Sequence, residues 1–350
     1  MISNDEIKKI REILDNTHRP LIFFDDDPDG LCSFLMVYKY IGDGKGIPIK
    51  TSPDLNTQYL RNVEEYAPDR IIILDKPQVS EEFIDKAKVP ILWIDHHPIT
   101  DESRKVDYFN PLKNDKEDNS PVSFWAYKIT QKKNPENLWI AEVGCISDWY
   151  IPDFSKEFNE LYPGLLNPEI TNPSEALFDQ KIGRLVKIFN SCLKGTRKKV
   201  NTCVKILSRI TDPIEIMEVS SPKAKFINKH FNSMNERYDE LINSVKKKKD
   251  ELLVFTYDDE QFSFSAILSN EIQHRNPDKF IIVARKKFDF MHCSLRSQKH
   301  DVRSVLEKVL PEFEAAYGGG HKNACGANIR AEDFKHFTER IKQEMDSFKD

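Results

Sequence analysis

Three times before residue 100, the chain runs four apolar residues straight into an acidic or imidazole turn. Leu21–Phe24 ends in Asp25-Asp26-Asp27-Pro28-Asp29-Gly30, Ile71–Leu74 in Asp75, and Ile91–Ile94 in Asp95-His96-His97-Pro98. A short run of branched and aromatic side chains bounded by polar turns reads as a strand buried on both faces. Segments of helical or mixed character separate the runs. Ser3 or Asn4 can cap a helix through Leu14, with Ile7, Ile10, Ile13 and Leu14 on one stripe. Leu31–Ile41 is helical in pattern. This alternation predicts an α/β domain with a mostly parallel sheet. In such sheets ligands gather beyond the carboxyl ends of the strands, where all three acidic turns lie.

Further along, Trp139–Ser147 reads as a buried apolar helix that delivers Asp148. Residues 152–173 are punctuated by proline and predict a surface loop. Residues 175–215 are helical in pattern. Phe226, Ile227, Phe231, Met234, Tyr238, Leu241, Ile242 and Val245 recur at helical spacing and predict one long amphipathic helix ending in Lys246–Lys249. Leu252–Thr256, Phe262–Ile267, Phe280–Val283 and Phe290–Leu295 read as strands, and Val302–Leu310 and Asp333–Phe348 as helices. Gly318-Gly319-Gly320-His321 falls between those helices. The expected organisation is a catalytic domain over 1–220, a helical connector over 221–250 and a smaller α/β domain over 251–350.

Composition narrows the class. With 39 % hydrophobic and 31 % charged residues the chain is a globular type. Its apolar runs are too short to span a bilayer. The N-terminus lacks the basic-then-apolar order of a signal peptide, so a cytoplasmic location is expected. Six cysteines, at 32, 145, 192, 203, 293 and 325, form no C-x-x-C pair and read as reduced thiols. The net charge of −5 counts acidic groups without any bound cation, and two divalent ions would offset most of it.

Asp25, Asp27 and Asp29 alternate on one segment, so their carboxylates crowd together. Crowded carboxylates resist ionisation, and a divalent cation removes that penalty. Each motif alone has a plainer reading: a solvated acidic loop, a surface histidine pair, an ordinary aspartate at a strand end. Together they place carboxylates and imidazole on one edge, a mixed oxygen and nitrogen set that favours Mn²⁺ over Mg²⁺. Two such ions clamp a phosphoryl group.

These residues resemble the DHH phosphoesterases with their DHH-associated C-terminal domain. The resemblance covers nearly the whole chain. It rests on Asp25-x-Asp27-x-Asp29-Gly30-x-x-Ser33, Asp75, Asp95-His96-His97, Gly144-x-x-x-Asp148 and Gly318-Gly319-Gly320-His321-x-x-Ala324-x-Gly326. It implies that Asp25, Asp27 and Asp75 hold one metal, and that Asp29, Asp75, His96 and Asp148 hold the other. Asp75 would bridge the two. His97 would contact the scissile phosphate with Asp95 in support. Many members have histidine where this chain has Asp25. RecJ-type exonucleases have aspartate there. Lys76 follows Asp75, where a small residue is common in the family.

The resemblance therefore implies a RecJ-like exonuclease that hydrolyses single-stranded DNA or RNA from an end by a two-metal mechanism, with Mn²⁺ preferred and Mg²⁺ admissible. The C-terminal domain would hold the nucleotide end through Gly318, Gly319, Gly320, His321 and Arg296; a plain turn and a surface ion pair are the alternatives there. Arg197-Lys198-Lys199 and Lys246–Lys249 could track phosphates, although solvated helix ends are the plainer reading. Phe288, Phe290 or Trp149 could stack a base, although core packing is plainer. Two other functions stay open. One acts on very short substrates, as a nano-oligoribonuclease, nucleoside bisphosphate phosphatase or cyclic-dinucleotide phosphodiesterase. The other is a non-catalytic scaffold among replication or repair proteins. No membrane partner is expected, and a homo-oligomer is compatible with the chain.

Overall fold

The computed structural model describes residues 1–50, 54–99, 106–246, 250–258 and 263–347. It divides into two compact units, Met1–Phe231 and Asn232–Asp350.

The first unit carries β1 (Pro20–Asp25), β2 (Lys45–Ile49), β3 (Arg70–Leu74), β4 (Ile91–Ile94) and β5 (Asp107–Phe109). Helices α1 (Asn4–Asp15), α2 (Pro28–Ile41), α3 (Leu60–Tyr66) and α4 (Glu81–Ala87) alternate with them. The strands form one sheet in the order β2-β1-β3-β4-β5, with every neighbouring pair parallel. Parallel strands require crossovers, which α2, α3 and α4 supply between β1 and β4. Side-chain alternation splits each central strand between two cores. Ile22, Phe24, Ile72, Leu74, Leu92 and Ile94 pack on one face, and Leu21, Phe23, Ile71, Ile73, Ile91 and Trp93 on the other. Both faces are covered, which is why these strands read as unbroken apolar runs.

Helices α5 (Val122–Thr130), α6 (Leu138–Ser147), α7 (Ser155–Leu161), α8 (Pro173–Asp179), α9 (Ile182–Cys192), α10 (Arg197–Leu207) and α11 (Pro213–Met217) complete the unit. The 152–173 stretch expected as loop thus contains a short helix, α7, anchored by the buried Phe158. Gly144 on α6 lets that helix close on its neighbours; a Cβ there would meet Ser123 Cβ at 2.5 Å and Cys32 Cβ at 2.9 Å. All six cysteines are buried free thiols.

The long helix predicted around 226–245 is α12, Pro222–Ser244. Ile227 and Phe231 belong to the first unit's core. Lysines 247–249 lie outside the described residues. The second unit holds a mixed sheet in the order β6-β7-β8-β10-β9. Its strands are β6 (Leu252–Asp258), β7 (Phe280–Lys287), β8 (Phe290–Arg296), β9 (Tyr317–His321) and β10 (Ala324–Arg330), with helices α13 (Ser265–Arg275), α14 (Val302–Val309) and α15 (Phe334–Ser347).

The second unit departs from expectation at two segments. The 262–267 segment is not a strand: residue 262 lies outside the described residues, and Ser265 opens α13. Because β6 and β7 are parallel neighbours, a crossover must join them, and α13 is that crossover. Gly318–Gly320 is not a turn but part of the exposed edge strand β9, antiparallel to β10. A Cβ on Gly318 would meet Gly326 O at 2.5 Å, and one on Gly320 would meet Ala324 O at 2.4 Å. Close approach of β10 therefore accounts for two of the three glycines. Among the described residues, no helix is long and apolar enough to cross a membrane.

A candidate metal centre

The sheet order puts β1 and β3 side by side while their connections leave in opposite directions, to β2 and to β4. Such a switch point opens a crevice at the carboxyl ends of the two strands. Asp25 is the last residue of β1, and Asp75 directly follows β3.

Local structure then aims each group. Asp27 is the N-cap of α2 and accepts a hydrogen bond from Gly30 N at 2.9 Å. Gly30 must be glycine, since a Cβ would lie 2.6 Å from Asp25 O. Asp29, in the first turn of α2, is buried and accepts hydrogen bonds from Val122 N at 2.9 Å and Ser123 N at 2.8 Å. Those amides open α5, where a carboxylate is favourably placed. Asp75 has a left-handed backbone, φ 58°, while its N–H still closes a rung to Ile94 O at 3.0 Å. A non-glycine residue held there marks stored strain, which concentrates at functional sites. Asp148 is the C-cap of α6.

The ligand atoms converge. Asp25, Asp27 and Asp75 form one set, Asp29, His96 and Asp148 a second, and Asp75, His96 and His97 a third, the ligand atoms within each set lying inside 4.8 Å of one another. His96 Nε2 lies 3.4 Å from Asp75 Oδ1 and 3.7 Å from Asp148 Oδ2. Asp75 Oδ1 is fully buried and accepts no hydrogen bond. Burial, followed by the charges of neighbouring aspartates, pushes Asp75 and Asp148 well above the usual carboxylate range and Asp27 up to about 7. Buried carboxylates crowded in this way, with an orphaned oxygen among them, fit a divalent cation.

His97 differs from His96. Burial lowers His96. Burial also acts to lower His97, but its hydrogen bond to Asp95 Oδ1, at 2.8 Å, and that carboxylate's charge outweigh it and raise the imidazole. Asn110, which nothing in the sequence singled out, ties this corner together. Its amide donates to His97 O at 2.9 Å and lies 3.5 Å from Asp95 Oδ2.

Lys76 is the larger surprise. Its side chain is fully buried and its ammonium lies 2.9 Å from Asp25 Oδ1. A second contact reaches Lys50 O at 3.3 Å, and Trp93 Nε1 donates to the Lys76 carbonyl at 3.0 Å. The departure after Asp75 is thus a cation built into the wall of the Asp25 group.

Trp149, beside Asp148, is 42 % exposed and Phe288 is 83 % exposed, so neither is a core residue as expected. In the second unit, Arg296 donates to Asn270 Oδ1 at 2.6 Å and to Leu295 O at 2.8 Å, and burial lowers it to about 10. It forms internal hydrogen bonds rather than the surface ion pair considered above. His321 is exposed on β9.

No curated protein matches the sequence. Among solved structures, the chain is similar to RecJ from Thermus thermophilus in complex with Mn²⁺, at 14 % identity and a TM-score of 0.66. That match covers all of this chain but only 56 % of the RecJ chain, so this chain spans little more than half of that protein. The same RecJ has also been solved with Mg²⁺. The chain is similar to the pGpG-specific phosphodiesterase PggH from Vibrio cholerae, with TM-score 0.53, 13 % identity, 93 % of this chain and 98 % of that one. It is likewise similar to CDC45 from Entamoeba histolytica, with TM-score 0.53, 10 % identity, 97 % of this chain and 98 % of that one. At these identities the likeness establishes the fold. The DHH family N-terminal domain matches residues 19–146, the DHHA1 domain matches residues 249–347, and the chain belongs to the DHH family.

Proposed function

We propose that the chain is a divalent-metal-dependent phosphodiesterase, acting as a RecJ-like exonuclease on an end of single-stranded DNA or RNA. The observation that carries this reading is the buried Asp75 Oδ1, which accepts no hydrogen bond although the other carboxylates and His96 crowd around it. Asp25, Asp27 and Asp75 would hold one cation, and Asp29, Asp75, His96 and Asp148 the other. The mixed donor set favours Mn²⁺, with Mg²⁺ admissible. When bound, the two cations supply Lewis-acid polarisation of the phosphoryl oxygens and lower the pKa of an attacking water.

The chain's own groups supply the rest. The Val122 and Ser123 amides fix Asp29. Asp95 holds Nδ1 of His97 and favours its cationic form, which can stabilise charge on a non-bridging oxygen of the scissile phosphate. In the second unit, Arg296, Gly318, Gly319, Gly320 and His321 are proposed to bind the nucleotide.

One observation supports a second reading, action on very short substrates. The chain spans 98 % of the pGpG-specific phosphodiesterase PggH. Incubation with Mn²⁺ and end-labelled DNA and RNA of graded length separates the two. Progressive shortening of long strands supports the exonuclease. Hydrolysis confined to dimers and trimers supports the second reading, and hydrolysis of nothing refutes both. Asp75→Ala should reduce activity to background with the fold intact by circular dichroism.

A further inference from the structure

A cavity of about 530 Å³ opens beside the acidic turn. It lies among β2, residues 58–62 and residues 193–201, all in the first unit. Its volume is in the range of roughly 300–1,000 Å³ typical of ligand sites. One end of its lining is Asp26, whose chain neighbours are the metal-centre residues Asp25 and Asp27.

Its chemistry is the complement of the metal centre. Lys45, Lys50 and Arg197 line it, and Asp26 is the single carboxylate in the lining. Neither Lys50 nor Arg197 forms an ion pair among the described residues, although the Lys50 charge acts at longer range on the Asp26 carboxylate. Lys194 adds another ammonium close by, 3.4 Å from Asp26 O. Apolar surface comes from Pro48, Leu193 and the Tyr59 ring, and amide groups from Gln58, Asn62 and Asn201. Cations for a backbone, a ring for a base and amides for base or sugar edges are the components that hold single-stranded nucleic acid. Of the basic run 197–199, only Arg197 lines the cavity.

We propose that this cavity is a subsite for the nucleotide flanking the scissile phosphodiester, so that a single-stranded polynucleotide passes along β2. The proposal rests on the phosphodiesterase reading above. It assigns Lys50 and Arg197 to phosphate contacts, and it makes a substrate longer than a dinucleotide the better one.

The test compares wild type, the double variant Lys50→Gln/Arg197→Gln and the control Lys198→Gln, which changes an exposed lysine outside the cavity. With Mn²⁺, kcat/KM is measured for oligothymidylates from the dinucleotide to about ten residues, a length that exceeds the smallest single-strand sites. In the double variant, the ratio of kcat/KM for the longest oligomer to that for the dinucleotide should fall about tenfold, as expected for losing two phosphate contacts. Lys198→Gln should keep the wild-type ratio. An unchanged ratio in the double variant, or an equal fall in the control, overturns the subsite.

A second arm uses fluorescence anisotropy of a labelled oligothymidylate with the full chain in EDTA, where metal-dependent hydrolysis is silent. The double variant should bind about tenfold more weakly, with a salt slope reduced by about 1.4. Equal binding overturns the proposal. So does wild-type binding of the oligomer no tighter than of thymidine monophosphate or inorganic phosphate, which would make the cavity a small-anion site. If nothing is hydrolysed, the phosphodiesterase reading falls, while the anisotropy still decides the subsite.

Discussion

Lys76→Met removes a charge and keeps most of the volume of a fully buried side chain. At 2.9 Å, the ammonium and Asp25 Oδ1 attract by about 6 kcal/mol at an effective dielectric constant near 20. Much of that offsets desolvation, but removing one partner leaves the other charge buried without its closest cation, at a cost of about 3–5 kcal/mol. In a domain of this size each kcal/mol shifts Tm by about 2–4 °C, so the first unit should melt roughly 6–20 °C lower in EDTA. Mn²⁺ would supply the missing countercharge. The deficit should therefore shrink by more than half when the same melts are run in saturating Mn²⁺. Differential scanning calorimetry of both proteins in both conditions checks this. A Tm within about 2 °C of wild type in EDTA would refute the claim that Asp25 depends on Lys76. A deficit equal with and without Mn²⁺ would assign the effect to packing rather than charge.

Two further outcomes concern protons. Asp27, Asp75 and Asp148 all sit above their unfolded values, so the folded metal-free chain holds protons that the unfolded chain releases. Their contribution to stability is present below the unfolded carboxylate range and is lost as pH rises through the raised values. Tm in EDTA should thus fall between about pH 5 and pH 8 and level in Mn²⁺; a flat profile in EDTA would contradict the crowding argument. Asp95→Asn removes the hydrogen-bonded carboxylate that does most to raise His97 and leaves burial, which lowers it, opposed only by the smaller effects of Asp27 and Asp29. The alkaline loss of kcat/KM should begin at lower pH in the variant, with a drop of about 10–100-fold at neutral pH; an unchanged alkaline limb would remove His97 from the charge-stabilising role.

How legible this was depended on burial. The runs ending in Asp25, Asp75 and Asp95 were readable because β1, β3 and β4 are covered on both faces, and Ser3 as a cap is confirmed by its capping box with Glu6. The edge strands β2 and β5 were not. β2 contains Gly46 and Pro48, tolerated where one side of a strand has no partner, and β5 is three residues long. The aspartates and histidines were findable because local pattern places them at strand ends. Lys76 and Asn110 were not, because their partners are set by tertiary folding. Lys76 meets a carboxylate 51 residues away, and Asn110 is fixed by hydrogen bonds to the His97 carbonyl and the Tyr108 hydroxyl. Asp25 carried a hint of substrate class in the sequence. The structure adds that it is a carboxylate shared between a buried lysine and the proposed metal set.

These carboxylates and His96 are proposed to form one dinuclear centre around Asp75. Electron paramagnetic resonance of the full chain titrated with Mn²⁺ tests it most directly. Two ions per chain with an exchange-coupled signal are expected, with loss of that coupling in Asp75→Ala. A single uncoupled ion at saturation, or coupling that survives Asp75→Ala, would contradict it.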